Sequence, residues 1–385
     1  MYSFFSELEC SGCGEKYSSD EICTYCPACQ SPLLARYRID EARVQVNRAE
    51  ISKRSQGMWR WHELLPVKDE ANSVFLGEVD TALIRAPDLE KELGLDSLYV
   101  KDESTNPTGS FKARGFAAAI SRAKEMGIKK VVIPITGNVG GAIAAYAARA
   151  GIEVLIHMPD DTPSACVEEC RLAGAEVALV DGLINDSAGL PGDEARQQGW
   201  FDFSAFKEPY RLEGKKVMGF ELAESFNWKL PDVIIYPTGG GLGLVGLWKA
   251  FSELEQLGWL DDKKRPRIVA VQPEGCAPFV RAYDTGAAFC NFWMNAQTIA
   301  SGLRVPKSFA DTLVLKNLRA SLGTAVAVTD RAILEAQQLL GKIEGMVASL
   351  EGAATLAALK TLIEKNWVSR DERIVLFNTG SQYLG

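Results

Sequence analysis

The chain is nearly devoid of histidine: among 385 residues only His62 and His157 occur. A histidine-based catalytic triad or a multi-histidine metal site is thereby disfavoured, and His157, at the end of an apolar run, reads as packing or a cap. No apolar run approaches the roughly 20 residues that span a bilayer, and neither an internal repeat nor a low-complexity linker is visible. The first residues, Met1-Tyr2-Ser3-Phe4-Phe5-Ser6-Glu7, lack the basic stretch and apolar core of a signal peptide, so the expectation is a cytoplasmic protein. Positive charge is in deficit as well: Lys and Arg number 42 against 50 Asp and Glu, a net charge of -8. Nucleic acid and anionic membranes are therefore disfavoured as main partners. A phosphorylated small molecule is not, because one basic site can form on an acidic protein.

What is present is an ordinary globular composition, 47% hydrophobic and 24% charged, in a chain long enough for two cored domains. Five of the nine cysteines fall in the first thirty residues. Cys10-Ser11-Gly12-Cys13 and Cys26-Pro27-Ala28-Cys29 form a CxxC…CxxC pair, each followed by turn-making residues, Gly14 and Gln30-Ser31-Pro32. Four thiolates at this spacing suit a tetrahedral, structural zinc ion. Cys23 leaves the ligand set open, and a metal-free ribbon of reduced cysteines is the alternative. Cys166 and Cys170, four apart on a helical pattern, read as core thiols.

Chemistry concentrates around Lys112. An apolar strand pattern at 97–101 leads into the turn Asn106-Pro107-Thr108-Gly109, and an alanine-rich helix is expected over 111–124 with Ser110 as N-cap. Lys112 then lies in a first helical turn, where its charge opposes the helix dipole. A solvated surface lysine is one reading. A lysine that must shed its proton to attack an aldehyde is the other, because that field lowers its pKa.

Two further loops follow strands. The strand pattern 129–135 precedes Thr136-Gly137-Asn138-Val139-Gly140-Gly141 and a helix, a corner whose N–H groups suit a carboxylate. The strand pattern 232–237 precedes Thr238-Gly239-Gly240-Gly241-Leu242-Gly243 and a helix expected over 244–257, which suits a phosphate. Residues 241–246 also satisfy GxGxxG, so a dinucleotide site stays open on this loop alone. Between the two, strand patterns at 153–158 and 174–180 alternate with a helix over 162–172, the rhythm of a parallel sheet.

The run Asn106-Pro107-Thr108-Gly109-Ser110-Phe111-Lys112 resembles the lysine motif of fold-type II pyridoxal-phosphate enzymes, most of all threonine synthase-like ones, and similar segments recur in order along most of the chain. The resemblance implies two three-layer α/β domains with mainly parallel sheets, plus the short N-terminal Cys-rich ribbon. The ribbon would span 1–38, the large pyridoxal-phosphate-binding domain 39–104 and 205–385, and the small domain 105–204. It implies that Lys112 carries the cofactor as a Schiff base and acts as catalytic base. Phe111 and Asn138 would touch the cofactor, Gly239, Gly240, Gly241, Leu242 and Gly243 would hold its phosphate, and the Thr379 hydroxyl would meet its pyridine nitrogen. Ser110, Thr136, Gly137 and Val139 would receive the substrate carboxylate. Pro209-Tyr210-Arg211-Leu212-Glu213-Gly214-Lys215 resembles a segment whose arginine grips the phosphate of O-phosphohomoserine, here Arg211.

The implied enzyme is a homodimer making threonine and phosphate from O-phosphohomoserine and water. The sequence departs from the pattern at Ala82 and Leu350, where proline is usual, at Ile135, where serine is usual, and at Ser381-Gln382 after Thr379-Gly380. These departures keep other readings open: β-replacement on O-phosphoserine, as in cysteate synthase-like enzymes, an amino-acid dehydratase, or a catalytically idle ligand-binding relative.

Overall fold

A computed structural model describes residues 1–135, 139–180, 199–262 and 264–382. The chain divides into two compact units: Met1–Asp80 with Lys112–Val217 and Gln256–Gly258, and Thr81–Phe111 with Met218–Glu255 and Trp259–Gly385.

The first unit contains two sheets. One is an antiparallel ribbon in the order Lys16–Ser18, Phe5–Cys10, Leu33–Tyr37. The other is parallel, in the order Glu176–Val180, Glu153–Pro159, Lys130–Pro134, Phe201–Asp202. Its central strands carry Val131, Val132, Ile133 and Ile156, all fully buried, as a parallel strand covered on both faces requires. The helix Lys112–Glu125 packs on Val139–Ala150, which packs on Ser164–Leu172.

The second unit is built on a six-stranded sheet in the order Thr324–Val328, Arg267–Pro273, Val233–Pro237, Ile374–Asn378, Leu98–Asp102, Ala82–Arg85. Only the edge strand Ala82–Arg85 runs antiparallel. The two middle strands are buried at every position. Helices Asp330–Glu344 and Leu350–Glu364 close the core through Ile333, Ala336, Leu356 and Leu359.

The local expectations change in four places. The lysine helix begins at Lys112, and Ser110 does not cap it: its Oγ has no hydrogen bond, while its backbone bridges Gly380. The sequence pattern after Lys216 predicts a helix over 217–226, and the helix observed runs Arg211–Ser225. It starts earlier because the Glu208 carboxylate accepts from the N–H groups of Tyr210 and Arg211, two donors a helix start leaves without partners. The apolar run 59–66 predicts a helix end, and most of it lies instead in a 3-10 helix, Met58–Leu64. The pattern at Phe75 and Leu76 suggests a short edge strand, and these residues form none.

Candidate active site

In the second unit, the segment before Lys112 is locked to the last strand's exit. Phe111 N donates to Thr379 O at 3.0 Å, and Ser381 N donates to Gly109 O at 2.8 Å. Asn106 is fixed from the other side, its Nδ2 donating to Glu103 O and Glu103 Oε2, both at 2.9 Å. Glu103 is fully buried and accepts from Thr81 Oγ1 at 2.5 Å. Lys101, also fully buried, donates to Glu221 at 2.6 Å and to Thr81 O at 2.7 Å. The turn therefore rests on a buried charged network rather than on solvent.

The glycine loop lies in the same unit. Thr238 N donates to Val271 O at 2.8 Å, and Gly240 O accepts from Ser308 Oγ at 2.7 Å. Leu242 opens the helix Leu242–Gln256, so the loop's N–H groups stand at the positive end of a helix. A Cβ on Gly239 would meet Gly302 O at 2.6 Å, and one on Gly243 would meet the Tyr236 hydroxyl at 1.8 Å. Only glycine fits either place. The Tyr236 ring packs edge-on to Phe111 at 6.4 Å. Burial, and after it the charge of Glu103, raise the Tyr236 pKa well above 10, so its hydroxyl keeps a proton to donate. Asn106 Oδ1, Thr108 Oγ1, Ser110 Oγ and the Tyr236 hydroxyl are buried without a hydrogen-bond partner. Such groups call for a polar ligand.

In the first unit, Lys112 is half-buried and two helix starts cross beside it. A Cβ on Gly115 would meet Arg211 O at 3.1 Å and Lys215 Cε at 3.2 Å, while one on Gly214 would meet Arg114 O at 1.8 Å. The first turns of Lys112–Glu125 and Arg211–Ser225 thus touch backbone to backbone. Arg211 is buried, with its guanidinium 4.4 Å from the Phe116 ring centre and Nη1 donating to Phe203 O at 3.0 Å. Its Nε has no partner. Burial lowers the Arg211 pKa to about 10, with Glu208 opposing. Burial, then the charges of Arg211 and Lys112, push Lys215 well below its usual range. Arg211, Lys215 and Lys112 therefore gather in one place, which suits an anion. Val139 opens the helix Val139–Ala150; Thr136, Gly137 and Asn138 lie outside the described residues.

Residues 74–380 match the family described as "Pyridoxal-phosphate dependent enzyme". The chain belongs to this family. Threonine synthase of Methanocaldococcus jannaschii is 37% identical over 372 residues, 96% of this chain and 91% of that protein. Threonine synthase of Methanosarcina acetivorans is 34% identical over 97% of this chain and 91% of its own length. Among solved structures, maize serine racemase aligns with a TM-score of 0.66 at 23% identity, covering 79% of this chain and 88% of that one. Diaminopropionate ammonia lyase of Escherichia coli gives 0.68 at 20%, covering 81% and 89%. The fold is thus that of fold-type II pyridoxal-phosphate enzymes, and the chain is a pyridoxal-phosphate-dependent lyase. The dinucleotide reading of 241–246 falls away.

The residues present fit this cofactor. A loop with no side chains at its closest approaches offers N–H groups to a phosphate, and four buried polar atoms in the same unit lack partners. Sequence reasoning did not single out Tyr236, Glu103 or Glu208. It also passed over Glu78, whose buried carboxyl is bonded by the Tyr146 hydroxyl and whose pKa burial raises. A lone acidic or tyrosine residue has no spacing signal; only Glu208, three residues before a helix start, left a readable trace.

The ribbon's four cysteines converge. The Sγ atoms of Cys10, Cys13, Cys26 and Cys29 lie within 4.8 Å of one another, with Cys10–Cys29 at 3.3 Å and Cys13–Cys26 at 3.7 Å. Cys23 is not among them. No helix among the described residues is long and apolar enough to cross a membrane.

Proposed function

We propose that the protein is a threonine synthase, converting O-phosphohomoserine and water to threonine and phosphate. The observation that carries this is the buried Arg211, its Nε unpartnered, grouped with Lys215 and Lys112 in one unit. A guanidinium beside an amine suits a phosphate dianion, which takes parallel N–H bonds. The full-length similarity to proteins named threonine synthase supports the same reading.

Lys112 Nζ would hold the cofactor and, once displaced by the substrate's amino group, take the proton from the substrate α-carbon. Bound pyridoxal phosphate supplies an electron sink for the charge left there. Gly239, Gly240, Gly241, Leu242 and Gly243 would bind its phosphate, with Thr379 at its pyridine nitrogen and Phe111 beside it. Ser110 and Val139, with Thr136, Gly137 and Asn138, would orient the carboxylate and the cofactor ring. Arg211 would bind the leaving phosphate. The four ribbon thiolates would hold a structural divalent cation of the zinc class.

A second reading, β-replacement on O-phosphoserine, draws support from Ile135. It is buried, its N–H donates to His157 O, and it brings no hydroxyl where the resemblance places one. The two separate in a panel read by phosphate release and product mass: O-phosphohomoserine alone against O-phosphoserine with sulfite. Turnover of the first substrate is expected. Turnover of the second alone overturns the threonine synthase reading. Lys112→Ala should lower the rate by about 10²–10⁴-fold or more through lost proton transfer, and the purified variant should lack the visible band of bound cofactor.

A further inference from the structure

The ribbon is more than an appendage with a metal knuckle. We infer that a metal ion in it braces the helix start carrying Arg211, so that metal occupancy sets the affinity for the phosphate group. This rests on reading Arg211 as the anion ligand and the four cysteines as metal ligands.

The knuckles are built for a metal. Gly14 N donates to Cys10 O at 3.1 Å and Gln30 N to Cys26 O at 2.8 Å, and both Gly14 and Gln30 adopt positive φ, 77° and 59°. Each CxxC is therefore the same tight turn, used twice. Gly12 N and Cys13 N both donate to Cys10 Sγ at 3.4 Å, as to a thiolate. Zn–S bonds of about 2.3 Å put tetrahedral sulfurs roughly 3.8 Å apart, close to the spacing seen here. A three-stranded ribbon of this size has too little core to hold itself, and a metal is one of the few available staples.

The ribbon's strands carry this anchorage to the site. Cys10 pairs with Leu33 at the metal end, and Phe5 pairs with Tyr37 at the other. Tyr37 donates its hydroxyl to Glu213 Oε2 at 2.9 Å. Lys216 Nζ reaches the same oxygen at 2.6 Å and lies 3.9 Å from the Tyr37 ring centre. Glu213 and Lys216 are fully buried, so this contact has no water to replace it. Phe5 packs edge-on to Tyr210 at 5.8 Å, one residue before Arg211. Glu213 sits between Arg211 and Gly214, where the two helix starts touch backbone to backbone. That turn has no slack. A ribbon that loosens frees Glu213, and with it Arg211 and the turn beside Lys112.

The test uses the full-length, cofactor-loaded protein. Metal content is measured before and after chelation, inorganic phosphate is the binding probe, and hydrogen exchange is followed in peptides covering 112–116 and 211–217. One zinc per chain is expected. Its removal should weaken phosphate binding about tenfold and speed exchange in both peptides, and zinc addition should reverse both. Tyr37→Phe should keep the metal and reproduce part of each change, which guards against a stripped ribbon that simply unfolds. Absence of metal, or unchanged exchange at 211–217 in both the stripped protein and Tyr37→Phe, overturns the brace. If the metal-loaded chain binds no phosphate, the anion reading of Arg211 fails, and the exchange data alone decide the brace.

Discussion

Tyr236 and Gly243 share a space with no room for another atom. Gly243→Ala drives a methyl group onto the Tyr236 hydroxyl, and overpacking of this kind costs about 1–3 kcal/mol. Cofactor affinity, titrated by visible absorbance, should fall about five- to a hundredfold. Adding Tyr236→Phe removes the colliding oxygen and should restore part of it. Glu208 offers a test by pH. Burial raises its pKa from 4.5 to about 7, against the N–H groups of Tyr210 and Arg211. An acid whose folded pKa lies above its unfolded one favours folding while protonated. That contribution is complete below 4.5 and is lost as pH rises through about 7. Melting temperature should therefore carry a downward slope across this window that Glu208→Gln flattens, although the variant itself is less stable for losing one acceptor. Lys112 and the glycine loop could be read from sequence as candidates because their motifs are local. Tyr236 could not, because its surroundings exist only once Phe111 and Gly243 have closed on it; Glu208 left only a local trace, three residues before a helix start.

Among elements, the strand Leu98–Asp102 is held by more than its ladder. Lys101 points from it into a buried set of Thr81, Glu103 and Glu221. Removing the cation leaves two carboxylates buried, and breaking such a pair costs about 3–5 kcal/mol. Lys101→Met should lower denaturant stability by that amount, and truncation of an exposed pair such as Arg331–Glu335 by under about 1 kcal/mol. The parallel strands were readable as apolar runs. Helix starts were read less well, since Arg211–Ser225 is nucleated by a side chain outside it, and Ser110 is drawn into a bridge with Gly380 instead of capping. Gly352 also has a tertiary reason: a Cβ there would meet Asn378 Oδ1 at 2.2 Å.

At the scale of the molecule, each unit has its own core, and the family match supplied what periodicity alone did not: the identity of the cofactor. Stripping that cofactor should destabilise the protein by mass action. At a hundredfold excess over its Kd, pyridoxal phosphate stabilises by about 2.7 kcal/mol, so the melting temperature should rise with cofactor concentration and stay flat for pyridoxal, which lacks the phosphate that the glycine loop would grip. The order of the six-stranded sheet bears on how the protein is made. Ile374–Asn378 lies between Val233–Pro237 and Leu98–Asp102, both translated well before it. On the ribosome those two strands emerge with the edges they must share still unfilled, and the apolar faces around them stay open to other nascent chains until Ile374–Asn378 arrives. The enzyme is thus most vulnerable to clumping during its own synthesis, and holding chaperones should matter more to its yield than to its survival once released.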